Sequence, residues 1–151
     1  MQVLKALNSK EKKVLFNLIN IQWDCNFSSD DIFYRSSKDK VYLLSDFDSE
    51  LVDTVKIDRL GVYFGTFMNS GFRLSIEGSQ IIGPTAKKNV LELDDGQFSD
   101  WFAGEDLDIE GNNGIHIIKN KNDFFGCGIL KNNNLNNYIT KSRRIRVSKQ
   151  L

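Results

Sequence analysis

The chain has 151 residues, 40% of them hydrophobic and 26% charged, and Lys plus Arg balance Asp plus Glu to a formal net charge of zero. That is an ordinary globular composition with room for one domain or two small ones. No apolar run approaches the ~18 residues that a membrane span needs. Two cysteines, Cys25 and Cys127, stand too far apart for a disulfide framework or a metal knuckle. The opening MQVLKALNSKEKK has no signal-peptide apolar stretch. A reducing cytoplasm is therefore the expected setting.

Charge is unevenly spread. Residues 94–110 hold Asp94, Asp95, Asp100, Glu105, Asp106, Asp108 and Glu110 with no Lys or Arg. From Lys131 onward the chain holds Lys131, Lys141, Arg143, Arg144, Arg146 and Lys149 with no acid. Salt screens charges beyond about 8–10 Å, so a neutral protein with such a strip can still attract phosphate locally.

In chain order, Asn8 and Glu11 have the spacing of a capping box. Leu7, Val14, Leu15, Leu18 and Ile21 then recur at helical spacing, which predicts a helix over 9–21 with those residues inward and Lys10, Glu11, Lys12 and Lys13 on its charged face. The β-rich runs Ile32-Phe33-Tyr34-Arg35 and Val41-Tyr42-Leu43-Leu44 flank a polar turn, a hairpin signal. Residues 48–55 fit a short helix with Leu51, Val52 and Val55 inward. A strand over 60–67 contains Gly61 and Gly65, the mark of a bulge or a close backbone approach. After the turn Asn69-Ser70-Gly71, a strand returns over 72–76. Tyr63, Phe64, Phe67 and Phe72 are either core or base-stacking rings, and core is the commoner fate.

The single proline, Pro84, follows Gly83. It fixes its own φ and biases Gly83 away from the helical region, so a helix over 75–82 should stop there. This predicts an N-terminal α+β domain over 1–84 with an antiparallel sheet, and a second domain over 85–151. The second half reads as short strands over 89–93, 115–118, 124–130 and 144–147, with helical turns over 97–102 and Asn-rich turns at 132–134 and 136–137. Short strands with Gly/Asn turns suggest a small β-barrel or sandwich.

The ordered set Asp39-Lys40-Val41-Tyr42, Leu60-Gly61, Phe64-Gly65-Thr66-Phe67, Phe72-Arg73-Leu74, Gly83-Pro84-Thr85-Ala86-Lys87-Lys88-Asn89-Val90, Gly104 and Gly126-Cys127-Gly128 resembles the Nip family of ribosome-biogenesis factors and their small archaeal relatives. That family pairs an α/β domain with a C-terminal PUA domain, an RNA-binding barrel. The ending, from Gly128-Ile129-Leu130-Lys131 through Leu135-Asn136-Asn137-Tyr138-Ile139-Thr140-Lys141-Ser142-Arg143-Arg144, is similar to the PUA-like tail of the NOL/NOP/Sun RNA cytosine-5 methyltransferases. The first resemblance implies an α+β chain, and both imply a C-terminal PUA-like barrel. They imply RNA binding in ribosome biogenesis or in modification of rRNA or tRNA, with single-stranded or looped RNA as the target.

The expected RNA-binding residues are Lys87, Lys88, Lys131, Tyr138, Lys141, Arg143, Arg144, Arg146 and Lys149. On a strand, Arg144 and Arg146 share one face, opposite Ile145 and Val147. Tyr138 is the expected stacking ring. The competing reading is a solvated basic tail paired with the acidic 94–110 segment. A scaffold that docks a ribosomal protein or an RNA-modifying enzyme through the N-terminal sheet and that acidic segment is the alternative function.

An enzyme is not expected, and neither is a cofactor or a metal. His116 alternates with isoleucines in a strand. Cys127 sits in an apolar run that favours packing over nucleophilicity. No serine occupies a nucleophile elbow, and the acidic pairs lack calcium-loop spacing.

Overall fold

The computed structural model describes residues 4–44 and 61–137. The first sheet is an antiparallel meander, β1 (Leu4–Ala6), β2 (Ile32–Ser36), β3 (Lys40–Leu44), β4 (Val62–Met68) and β5 (Gly71–Leu74), with neighbours in chain order. Its hairpin turn is held by Ser36, whose Oγ accepts from the N–H groups of Lys38 and Lys40 at 3.2 Å. Val41 pairs with Gly65 and Tyr42 with Tyr63, so Phe64 is the extra residue of a bulge beside Gly65, as its glycine predicts.

Helix α1 (Ser9–Trp23) starts on the expected box: Asn8 Oδ1 accepts from Glu11 N at 2.8 Å, and Glu11 Oε1 from Asn8 N at 3.0 Å. Its buried stripe differs from the expected one. Leu15, Ile19 and Trp23 are fully buried, whereas Val14 is 60% and Ile21 72% exposed. One residue turns a helix about 100°, so a stripe centred on 15, 19 and 23 carries 14 and 21 off the sheet. Trp23 draws the helix onto this face and extends it past the expected end. The helix packs on Phe33, Val41, Phe64 and Phe72. Phe64 and Phe72 are thus core and not stacking rings, with Phe33 and Phe64 edge-to-face at 5.5 Å.

Helix α2 (Ile76–Ile82) is capped by Ser75, whose Oγ accepts from Gly78 N at 2.9 Å, so the strand before it ends at Leu74. A Cβ on Gly78 would collide with the Phe64 carbonyl, which shows how closely α2 lies on β4. The α-helix stops at Ile82 as expected, but Gly83 is not turned out of the helical region: it keeps φ −51° and ψ −45°, and the chain runs on into a 3-10 turn (Gly83–Thr85) that holds Pro84 in its first turn, where the missing N–H costs nothing.

The second sheet is mixed, in the order β6 (Val90–Glu92), β8 (Gly114–Asn120), β9 (Asp123–Lys131), β10 (Asn134–Leu135) and β7 (Leu107–Asp108), with β6 parallel to β8 and the other pairs antiparallel. Among the described residues it is open, with β6 and β7 at its edges. One face carries α3 (Asp95–Phe102), started by an Asp94/Gln97 capping box, with Trp101 and Phe102 against Leu93, Ile118, Leu130 and Leu135. The other face gives Ile115, Ile117, Phe124 and Cys127 to the same core as Leu15, Trp23 and Phe33. Ser79 Oγ accepts from Gly126 N at 2.8 Å and ties α2 to β9.

Asn132 and Asn133 turn with φ of 51° and 63°, as expected of Asn. Asn136 does not turn the chain. Its N–H donates to Ile129 O at 3.1 Å, and its Oδ1 accepts from Ile129 N at 3.0 Å. The α+β class holds. The helix expected over 48–55 and the strand expected over 144–147 lie outside the described residues.

Candidate nucleic-acid interface

Three of the expected cations are described: Lys87, Lys88 and Lys131, all exposed. Lys87 and Lys88 leave the 3-10 turn with both N–H groups on the Trp23 carbonyl, at 2.8 and 3.3 Å. Asn89 follows in the left-handed region at φ 58° and donates through Nδ2 to Gln22 O at 2.6 Å. Its carbonyl accepts from Ile117 N at 2.8 Å. The segment is therefore fixed between the end of α1 and the start of β8.

Register brings the lysines together. Val90 pairs with Ile117 in the parallel β6–β8 ladder, which sets Lys88 just before the paired stretch, level with the start of β8. Gly114 pairs with Leu130, so Lys131 ends β9 beside the same start. One strand lies between, so the two backbones are about 10 Å apart at one end of the sheet. Among the described residues none of the three lysines is in a salt bridge. Tyr138, Lys141, Arg143, Arg144, Arg146 and Lys149 lie outside the described residues.

That end of the sheet also gathers four asparagines, of which the sequence reveals Asn132 and Asn133 as a turn and leaves Asn112 and Asn113 unmarked. Asn112, Asn113, Asn132 and Asn133 are exposed there, and Asn113 Oδ1 accepts from Asn132 N at 2.9 Å. Their amides can both donate and accept, which suits base edges and 2′-hydroxyls. His116 is buried behind them, with Nε2 2.7 Å from Asn112 O and Nδ1 without a partner among the described residues.

The surrounding field is not basic. Across 90–137 the chain has nine carboxylates against three lysines. All seven acids of the 94–110 segment are exposed. Among the described residues the one ion pair there is Asp95 with Lys121, at 3.6 Å, and both side chains are more than 70% exposed. Such a pair contributes little. Asp108 faces Asn134, which faces Lys131, so the acidic strip reaches within two strands of the lysine end.

The two cysteines and the histidine among the described residues are set apart from one another. Burial pushes the Cys127 thiol up to about 12, against weaker pulls from a Leu74 backbone hydrogen bond and the Arg73 charge. Cys127 pairs with Ile117 and belongs to the core shared with α1, while His116 pairs with Gly128. Neighbouring residues of a strand point to opposite faces, so the imidazole and the thiol are on opposite sides of the sheet. Cys25 is partly buried and also raised, by burial first. Among the described residues no group of His, Cys, Asp and Glu could hold a metal ion.

Residues 88–145 match the family model of the methyltransferase RsmF PUA domain. The chain is also similar to the ribosomal RNA small subunit methyltransferase F of two strains of Vibrio cholerae serotype O1, M66-2 and ATCC 39315 / El Tor Inaba N16961. In each case identity is 27% over 103 residues, covering 67% of this chain and 22% of the relative. The chain thus spans about a fifth of the length of these curated relatives. The matched segment begins at Lys88 and contains all of the second sheet. The likeness is to the PUA domain of a ribosomal RNA methyltransferase, and the resemblance to the Nip family is not shown.

Proposed function

We propose that the chain binds RNA through the end of its second sheet, as a non-catalytic module serving rRNA modification in the cytoplasm. The observation that carries this reading is the agreement between the PUA-domain match over 88–145 and the exposed Lys88 and Lys131 at one end of that sheet, neither in a salt bridge among the described residues. Arg144 and Arg146, which lie outside the described residues, are further candidate phosphate contacts on the sequence pattern alone. Guanidinium and ammonium groups hold phosphates, while the asparagines and Tyr138 meet splayed bases. A Nip-type role in ribosome assembly is the same chemistry applied to an assembling subunit.

Salt dependence tests it. With single-stranded RNA the log–log slope should be about −0.7 per phosphate contact. Replacing Lys88, Lys131, Arg144 and Arg146 by alanine should make it shallower by about 0.7 for each residue that neutralises a phosphate. A slope unchanged in the fourfold variant removes this edge from the account.

The exposed acidic segment favours a second reading, a face that docks a basic protein such as a ribosomal protein. A partner retained on the immobilised chain after nuclease treatment, and released by Asp→Asn changes at 106 and 108, supports that reading over the first.

A further inference from the structure

The segment that carries Lys87 and Lys88 is mounted on the end of a helix from the other half of the chain. Helix α1 ends at Trp23, and the carbonyls of a helix's last turn have no partner within the helix. The N–H groups of Asp24 and Cys25 both turn back onto Asn20 O. The next carbonyls are met from a distance in sequence. Trp23 O accepts from the N–H groups of Lys87 and Lys88, and Gln22 O accepts from Asn89 Nδ2. Residues 87–89 thus cap α1 as a unit.

Asn89 is the centre of this join. Its φ of 58° turns the chain from the helix end into β6, a conformation that Gly and Asn tolerate best. Glycine would supply the turn without the amide. The amide reaches back to Gln22 O at 2.6 Å, while the Asn89 carbonyl reaches forward to Ile117 N at 2.8 Å. One half-buried residue therefore holds both α1 and β8, and exposed Lys88 stands directly beside it. An ammonium on a fixed backbone loses less freedom when it meets a phosphate than one on a loose segment. Lys131, across β8, is held by other means. It pairs with Asn134, and the next residue, Asn132, donates its N–H to Asn113 Oδ1.

We propose that Asn89 is the positioning residue for Lys88 in RNA binding. Its amide ties the lysine segment to the end of α1 and so sets where the Lys88 ammonium meets a phosphate. This rests on the reading that Lys88 and Lys131 contact phosphates. It adds that the Lys88 contact depends on α1 and the Lys131 contact does not.

The test is the salt dependence of oligouridylate binding by the whole chain. Phosphate contacts carry no base information, so a plain single strand serves as the probe. In the parent chain, Lys88→Ala and Lys131→Ala should each make the log–log slope shallower by about 0.7. Asn89→Gly keeps the left-handed turn and removes the amide. Alone it should make the slope shallower by about 0.7. Adding Lys88→Ala to it should change nothing more, whereas adding Lys131→Ala should remove about another 0.7. An Asn89→Gly chain with the parent's slope, in which Lys88→Ala keeps its full effect, overturns the proposal. So does one in which Lys131→Ala has also fallen silent, because the loss is then general. If Lys88→Ala is silent in the parent chain, the phosphate reading of Lys88 fails first and the positioning role falls with it.

Discussion

Cys127 links burial to a measurable titration. Its thiol ordinarily ionises near 9.0, and the folded chain holds it to about 12. Between those values the unfolded chain sheds a proton that the folded chain keeps. Stability from this group is complete below pH 9.0 and is lost as pH rises toward 12. The loss should approach ~1.4 kcal/mol per pH unit within that window. Urea unfolding at several pH values, with Cys127→Ala alongside, isolates the effect. The variant should lose less stability than the parent over the window, and parallel curves would count against a buried thiol. At this scale the sequence was readable where a residue's neighbours in the chain decide its fate. Cys127 in an apolar strand and the Asn8/Glu11 cap are of that kind. It was silent where a distant partner decides, as with Ser79 on Gly126 or Asn89 on the Gln22 carbonyl.

Among elements, α1 shows how the first sheet closes. β5 is an edge strand, and Gln22 from the last turn of α1 acts as its missing neighbour: Nε2 donates to Phe72 O at 2.7 Å, and Oε1 accepts from Phe72 N at 2.9 Å. Gln22→Ala leaves both backbone groups without this partner and should cost about 1–3 kcal/mol. Faster hydrogen exchange at the Phe72 amide would confirm where the loss falls; an unchanged amide would show that the edge is satisfied elsewhere. The hairpin and the capped helices were legible because turn and cap residues announce them locally. β1, β7 and β10 were not, since two or three residues carry no period and are defined only by the strand they pair with. The inward face of α1 was misread for the same reason. Val14 and Ile21 fit a helical spacing as well as Ile19 and Trp23 do, and only the sheet chooses between them.

For the whole molecule, the Gly83–Pro84 junction separates two sheets but not two cores. Leu15 and Trp23 from one side share a cluster with Ile117 and Cys127 from the other. Denaturant unfolding should therefore give one cooperative transition, coincident by tryptophan fluorescence and by far-UV dichroism. Two separated transitions would mean that the halves hold themselves together independently. The parallel β6–β8 pairing that sets Lys88 near Lys131 spans α3 and β7. No local pattern could reveal it, although the lysines themselves were visible as candidates.

RNA contact at that end of the second sheet is the claim on which the functional account turns. Photocrosslinking the chain to single-stranded RNA and mapping the attached peptides tests it most directly. The account predicts adducts within 85–89 and from Lys131 onward. Adducts confined to the first sheet or to the acidic 94–110 segment, or none at all at physiological salt, would contradict it.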